Sequence, residues 1–143
     1  KNESSLNHPP SVDGNPKDAG GNAIEAPFIF YRKGYYYLFV SIDYCCKGVK
    51  STYKMIVGKS KKITEPFLDK EGNDMAKGGG TMVLAGDNNW YGVGHNAVVS
   101  FDGTDYLIFH GYDASDKGKS KLRIEKITWV NGWPAVQQST PAN

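Results

Sequence analysis

Apolar positions in this chain come in short runs of period two, separated by glycine, asparagine, aspartate and lysine. That rhythm belongs to half-buried β-strands joined by tight turns. Lys1 to Gly21 is polar and without period, so it reads as a leading loop. From Ala26 the pattern changes. Phe28 to Tyr31 reads as a strand, Arg32-Lys33-Gly34 as a turn, and Tyr35 to Ile42 as a second strand. Ser51 to Ser60 alternates, with Tyr53, Met55 and Val57 on one face, and reads as a third. Gly78-Gly79-Gly80 is a hinge before a short fourth strand, Thr81 to Leu84. The order then recurs: strands at His95–Ser100, Asp105–His110, Lys121–Trp129 and Trp133–Val136, with Phe101 to Thr104 as the matching turn. No segment carries a convincing helical period, so the expected class is all-β.

The two halves align at one offset. Gly34 matches Gly103, Tyr37-Leu38-Phe39 matches Tyr106-Leu107-Ile108, and Met55 matches Ile124, each 69 residues apart. A repeat of four short antiparallel strands is the mark of a propeller blade. Propellers usually have about 4–8 blades, so two leave sheet faces and edges uncovered. From the residues alone three readings stand: a two-sheet sandwich, part of a larger propeller, or two unrelated meanders of similar spacing.

Composition narrows the function. A formal charge of +2 argues against a nucleic-acid binder, which would carry a basic stripe. The 143 residues suit one domain, and 39% apolar residues can form a core. The apolar runs are too short to cross a bilayer as a helix. The chain opens on Lys1 with no signal-peptide pattern, so a signal peptide is expected to be absent from this chain, removed or never attached. The two cysteines, Cys45 and Cys46, are adjacent. Neighbouring cysteines rarely bridge, so no conventional disulfide is expected, and two are too few for a structural zinc site. Walker, Rossmann, Gly-x-Ser-x-Gly and His-Glu-x-x-His motifs are absent.

A few positions stand out chemically. Glu25 precedes the first strand of the first repeat, where a propeller would line its central channel. Burial beside Ile24 and Phe28 would raise its pKa and suit a general acid, against the plainer reading of an exposed glutamate at a strand entrance. His95 follows 70 residues later, at nearly the equivalent place, and is suited to a metal or a sugar hydroxyl, or to a structural role. Its glycine neighbours would let backbone approach a ligand. His110 ends a strand and reads as structural, with a second polar group near the axis as the alternative, and His8 in the polar lead is assigned nothing. In the loop after the second strand, Tyr44 is suited to stack on a sugar and Asp43 to bind hydroxyls, with a plain connection as the alternative.

At Asn22-Ala23-Ile24-Glu25-Ala26-Pro27, Cys45-Cys46-Lys47-Gly48 with Ser51-Thr52-Tyr53, Gly94-His95-Asn96, Ile127-Thr128-Trp129 and Gly132-Trp133-Pro134, the sequence resembles glycoside hydrolase family 43, specifically its endo-1,5-α-L-arabinanases. The resemblance covers about Asn22 to Val136. It implies a five-bladed β-propeller acting by inversion, with this chain as the last two blades (residues 22–143) and residues 1–21 as a junction or cleavage region. It places the general acid on Glu25 and a calcium ligand, acting largely through waters, on His95. It makes Asn22, Ile24, Tyr44, Cys45, Cys46 and Asn96 candidates to line the cleft. The family's base Asp and pKa-tuning Asp belong to earlier blades, and no Asp here fits them. The expected partners are arabinan or its oligosaccharides and a second chain or N-terminal portion carrying those blades. The expected location is secreted or periplasmic. The alternatives are a plant-glycan-binding module without catalysis and an exo-acting family member.

Overall fold

The structure is a computed structural model and describes residues 24–64 and 66–141. Eight strands form two antiparallel four-stranded meanders. The first sheet holds β1 (Ile24–Arg32), β2 (Tyr35–Ile42), β3 (Lys54–Ser60) and β4 (Thr81–Leu84). The second holds β5 (Trp90–Phe101), β6 (Thr104–Asp113), β7 (Lys119–Val130) and β8 (Trp133–Val136). Every expected strand is present. The remaining helical structure among the described residues is three short 3₁₀ turns, and no helix there is long and apolar enough to cross a membrane.

Differences from the expected boundaries have local causes. β3 begins at Lys54 and not at Ser51, because the Tyr44 carbonyl accepts hydrogen bonds from the Thr52 and Tyr53 N–H groups and holds that stretch in the loop. β5 begins at Trp90, five residues before the alternation becomes legible, because bulges between Tyr91 and Ala97 break the period of two.

The repeat is sharper in the backbone than in the sequence. Lys33-Gly34 and Asp102-Gly103 both take positive φ at both residues, the twist of a tight hairpin turn. The bulge between Glu25 and Phe28 recurs between Gly94 and Ala97. Its left-handed residue is Ala26 (φ +52°) in one sheet and His95 (φ +56°) in the other. The strict counterpart of Glu25 is therefore Gly94, and that of His95 is Ala26.

The two sheets pack face to face over Tyr37, Phe39, Met55, Val57, Val93, Leu107 and Phe109. A smaller cluster of Val40, Ile42, Ile56 and Met75 fills the other face of the first sheet. Burial does not follow the repeat: Met55 is fully buried, while its counterpart Ile124 is 59% exposed. Ile124 shares a face with Leu122, Val99 and Phe101, and all four are exposed. Among the described residues these four side chains form an exposed apolar row on the second sheet.

Candidate functional site

β1 and β2 run antiparallel, and their register sets Glu25 opposite Ser41 at one end of the first sheet. Ser41 is fully buried, and its Oγ accepts a hydrogen bond from the His95 N–H at 2.8 Å. That bond joins the two bulges across the sheets. Beside it, the Tyr53 ring lies against Gly94 so closely that a Cβ there would collide with it. Tyr53 stacks on His110 at 5.8 Å between ring centroids, and His110 is 6.4 Å from His95 and 5.5 Å, edge-on, from Tyr112. Glu25, Ser41, Tyr53, His95 and His110 thus form one cluster at one end of the two-sheet unit.

The cluster is polar, with Ser41 and Tyr53 buried and Glu25 and His95 exposed. Burial pushes the Tyr53 phenol up to about 12. Ser41 pulls it down, and the Glu25 charge adds to the rise. Burial also lowers the His110 pKa, and His95 adds to that effect, so the imidazole favours its neutral form. Tyr53 Oη, His110 Nδ1 and both amide atoms of Asn96 are buried without hydrogen-bond partners among the described residues. Such concentrations of unsatisfied polar atoms are rare in a plain structural core. Asn96, His95 and His110 line a cavity of about 450 Å³, together with Ala26 and Phe28.

The expected site residues are only partly brought together. Glu25, His95 and Asn96 share the cluster. Asn22 lies outside the described residues. Glu25 is exposed and not embedded in apolar neighbours: Ile24 beside it is 40% exposed and Phe28 is half-buried. β1 is the edge strand of its sheet and packs beside β5 of the second. Of the glycines beside His95, Gly92 makes room for Ser51 and Tyr112, and Gly94 for Tyr53. Asp43 is buried and paired with Lys54 at 2.5 Å, so it is no open hydroxyl-binding carboxylate. Lys47 Nζ sits 4.8 Å from the Tyr44 ring centroid and occupies a face of the ring that a sugar would use.

The cysteines depart from expectation most. Cys45 and Cys46 are joined by a disulfide. Cys46 sits in the left-handed region (φ +68°), and the Cα atoms keep the ordinary 3.8 Å spacing across the peptide. The small ring is accommodated by that backbone turn. For a metal, the described residues contain no group of three or more His, Cys, Asp or Glu able to hold an ion. Calcium prefers six to eight oxygens. The cluster offers an exposed imidazole, which fits a water-mediated site and not a fully protein-ligated one.

Pattern singles out neither Ser41 nor Tyr112, and it gives Tyr53 a place in a strand and a motif without a site role. One signal was present for Ser41: it stands 69 residues before His110, as β1 stands before β5.

Two four-stranded meanders whose first strands bring a glutamate and a histidine to one end are blades of a β-propeller. The model for glycosyl hydrolases family 43 matches residues 2–134, and the chain belongs to that family. It is 47% identical over 121 residues to an extracellular exo-α-(1→5)-L-arabinofuranosidase of Cellvibrio japonicus, covering 84% of this chain and 35% of that protein. It is 49% identical over 115 residues to an extracellular endo-α-(1→5)-L-arabinanase of Bacillus subtilis, covering 80% and 35%. Among solved structures, a Cellvibrio cellulosa α-L-arabinanase complexed with arabinohexaose superposes with a TM-score of 0.78 at 48% identity, covering 80% of this chain and 36% of that one. An exo-1,5-α-L-arabinanase from a bovine ruminal metagenomic library gives 0.80 at 51%, covering 85% and 41%. The chain spans little more than a third of the length of these relatives, and its two sheets are two blades of their five-bladed propeller.

Proposed function

We propose that this chain forms part of a hydrolase that cleaves α-1,5-linked arabinan by inversion, with Glu25 as the general acid. The observation that carries the reading is the joined pair of bulges: in a family 43 chain, Ala26 and His95 kink two first strands alike and, through Ser41, hold Glu25 and His95 at one end.

An inverting glycosidase protonates the leaving oxygen with one carboxyl group. A second carboxylate, about 6.5–9.5 Å away, activates a water on the opposite face of the sugar. Glu25 is exposed at the open end, where a leaving oxygen can reach it. Asp43, the nearest carboxylate along β2 and its loop, is tied to Lys54 and does not supply the second carboxylate. The base is therefore assigned to a companion portion of the propeller, and residues 1–21 to the junction with it. The bare apolar face of Val99, Phe101, Leu122 and Ile124 supports this, since a neighbouring blade would bury it. Ile24, Tyr44 and Asn96, with Asn22 and the cysteine pair, are assigned to the cleft wall. A calcium ion held through waters at His95 would support the charge of the cleft. No step of proton transfer is assigned to it. Secretion is proposed from the relatives named extracellular. Exo- and endo-acting relatives match at nearly equal identity, so the assignment is made at the level of the linkage.

The test is Glu25→Gln in the complete propeller. General acid catalysis is worth about 10²–10⁴-fold, so turnover of debranched arabinan should fall by that factor. Near-normal turnover would overturn the assignment.

A further inference from the structure

We propose that a lysine-lined cavity at the far end of the blades is a second glycan site, which takes a carboxylate-bearing sugar against Lys59, Lys61 and Lys70. The inference goes beyond the proposed function and rests on it only in choosing a sugar as the carrier of the carboxylate.

Place comes first. Lys59 pairs with Tyr37 near the end of the first sheet where Tyr35 meets Arg32, whereas Glu25 meets Ser41 at the other end. The strand from Tyr35 to Ser41 spans about 20 Å, at about 3.3 Å per residue. The cavity is therefore separate from the cluster around His95. Its volume is about 730 Å³, within the range of about 300–1,000 Å³ usual for small-molecule sites. Both blades build it, with Tyr35 and Lys59 from the first and Trp133 from the second.

Charge comes next. The wall carries Lys59, Lys61, Lys62 and Lys70 against one carboxylate, Asp69. Asp69 is buried, and it already accepts from the N–H groups of Glu71, Asn73 and Gly80 and from the Asn73 amide. It holds its own loop together and does not balance the lysines. Lys59 is the most telling of them. It is half-buried, and its Nζ lies 4.7 Å from the Tyr35 ring centroid and 4.5 Å from that of Trp133. Two aromatic faces thus fix the ammonium in place. It donates to the Gly132 carbonyl at 3.3 Å. An ammonium has three donors, so two remain for a ligand. Among the described residues no carboxylate pairs with Lys59, and burial lowers its pKa. A second ammonium, that of Lys61, lies 6.0 Å from the same Tyr35 ring. A partly dehydrated cation held among further cations is the environment an anion completes.

Shape decides which anion. Pro66 and Leu68 are exposed beside the lysines. A bare inorganic anion leaves that apolar surface unused. A uronic acid sets its C–H groups on it and its carboxylate on the cations. Such a site would hold an acidic stretch of polysaccharide while the cleft about 20 Å away works on a neutral one, which raises the local concentration of linkages at Glu25.

The experiment measures binding and does not depend on turnover. Calorimetry on the complete propeller titrates tetragalacturonate, its fully methyl-esterified form and inorganic phosphate. The acid should bind, and the ester, which keeps the rings and loses the charge, should bind at least about tenfold more weakly, about 1.4 kcal/mol. Lys61→Glu with Lys70→Glu should raise the Kd of the acid by the same factor. Lys59→Met keeps an apolar stem between the rings, and the same loss is expected from it should the double variant not fold. No binding of the acid, equal binding of the ester, or a Kd that these substitutions do not move would overturn the site. Phosphate binding as tightly as the acid would overturn its assignment to a sugar. Hydrolysis of a short neutral arabino-oligosaccharide should be unchanged in the double variant, and a parallel loss would overturn the separation of the two sites. The failures are distinct: turnover retained by Glu25→Gln removes the acid, and absent or charge-blind binding removes the lysine site.

Discussion

Tyr53 places a phenol where water cannot reach it: the residue is 1% exposed and its hydroxyl has no partner among the described residues. Because its pKa is raised from 10.0 to about 12, the fold favours the neutral phenol. The unfolded chain ionises first as pH rises. The stability tied to Tyr53 is therefore complete below about pH 10 and is lost as pH climbs through about 12, by up to about 2.7 kcal/mol. Tyr53→Phe should remove that loss, and near neutral pH it should be neutral or stabilising, since an unsatisfied buried hydroxyl costs about 1–3 kcal/mol. Urea midpoints of both proteins at neutral and strongly alkaline pH check this. Gly94→Ala drives a Cβ into the same ring, which is backed by His110 and cannot yield. A loss of about 1–3 kcal/mol is expected in the same measurement. At this scale the sequence was readable where a residue announces chemistry, as Glu25 and His95 do. It was unreadable where chemistry depends on contact across the sheets, as with Ser41. Nothing in the order of Cys45 and Cys46 says that the backbone turns left at the second of them.

Strands were legible because alternation is local. Bulges were not, because one extra residue erases the alternation it interrupts, and the start of β5 was hidden for that reason. The end of the chain is also held by an element-scale device. Arg123 on β7 is buried over the Trp90 ring and pairs with Glu125, whose carboxylate in turn accepts hydrogen bonds from the Ser139 N–H and hydroxyl. Burial acts to raise the Glu125 pKa, but Ser139 and Arg123 outweigh it and hold the pKa below its ordinary value. Glu125 thus stabilises the fold above the ordinary carboxylate pKa, and that contribution drains as pH falls through the lowered one. Glu125→Ala removes the carboxylate partner of a buried guanidinium that keeps Gln138 Oε1 and the Ser139 carbonyl, so a loss of about 1–3 kcal/mol is expected by thermal or urea unfolding at neutral pH. The loss should shrink in acid.

At the scale of the molecule, the repeat correctly announced two blades, but burial could not be read from it, since Met55 and Ile124 occupy equivalent places in unlike surroundings. The exposed row of Val99, Phe101, Leu122 and Ile124 predicts that this chain alone self-associates as its concentration rises. Leu122→Lys with Ile124→Lys should leave it monomeric in sedimentation. The same pair in the complete propeller should lower its stability, if a neighbouring blade covers this face. The paired kinks have a further consequence. One backbone device, copied 69 residues on, bends two first strands alike, yet it carries alanine in one copy and histidine in the other. Aim and reagent are thereby separated. Geometry is inherited by duplication, while the group presented at each kink is free to diverge, so a change of chemistry at this axis requires a new side chain and not a new fold.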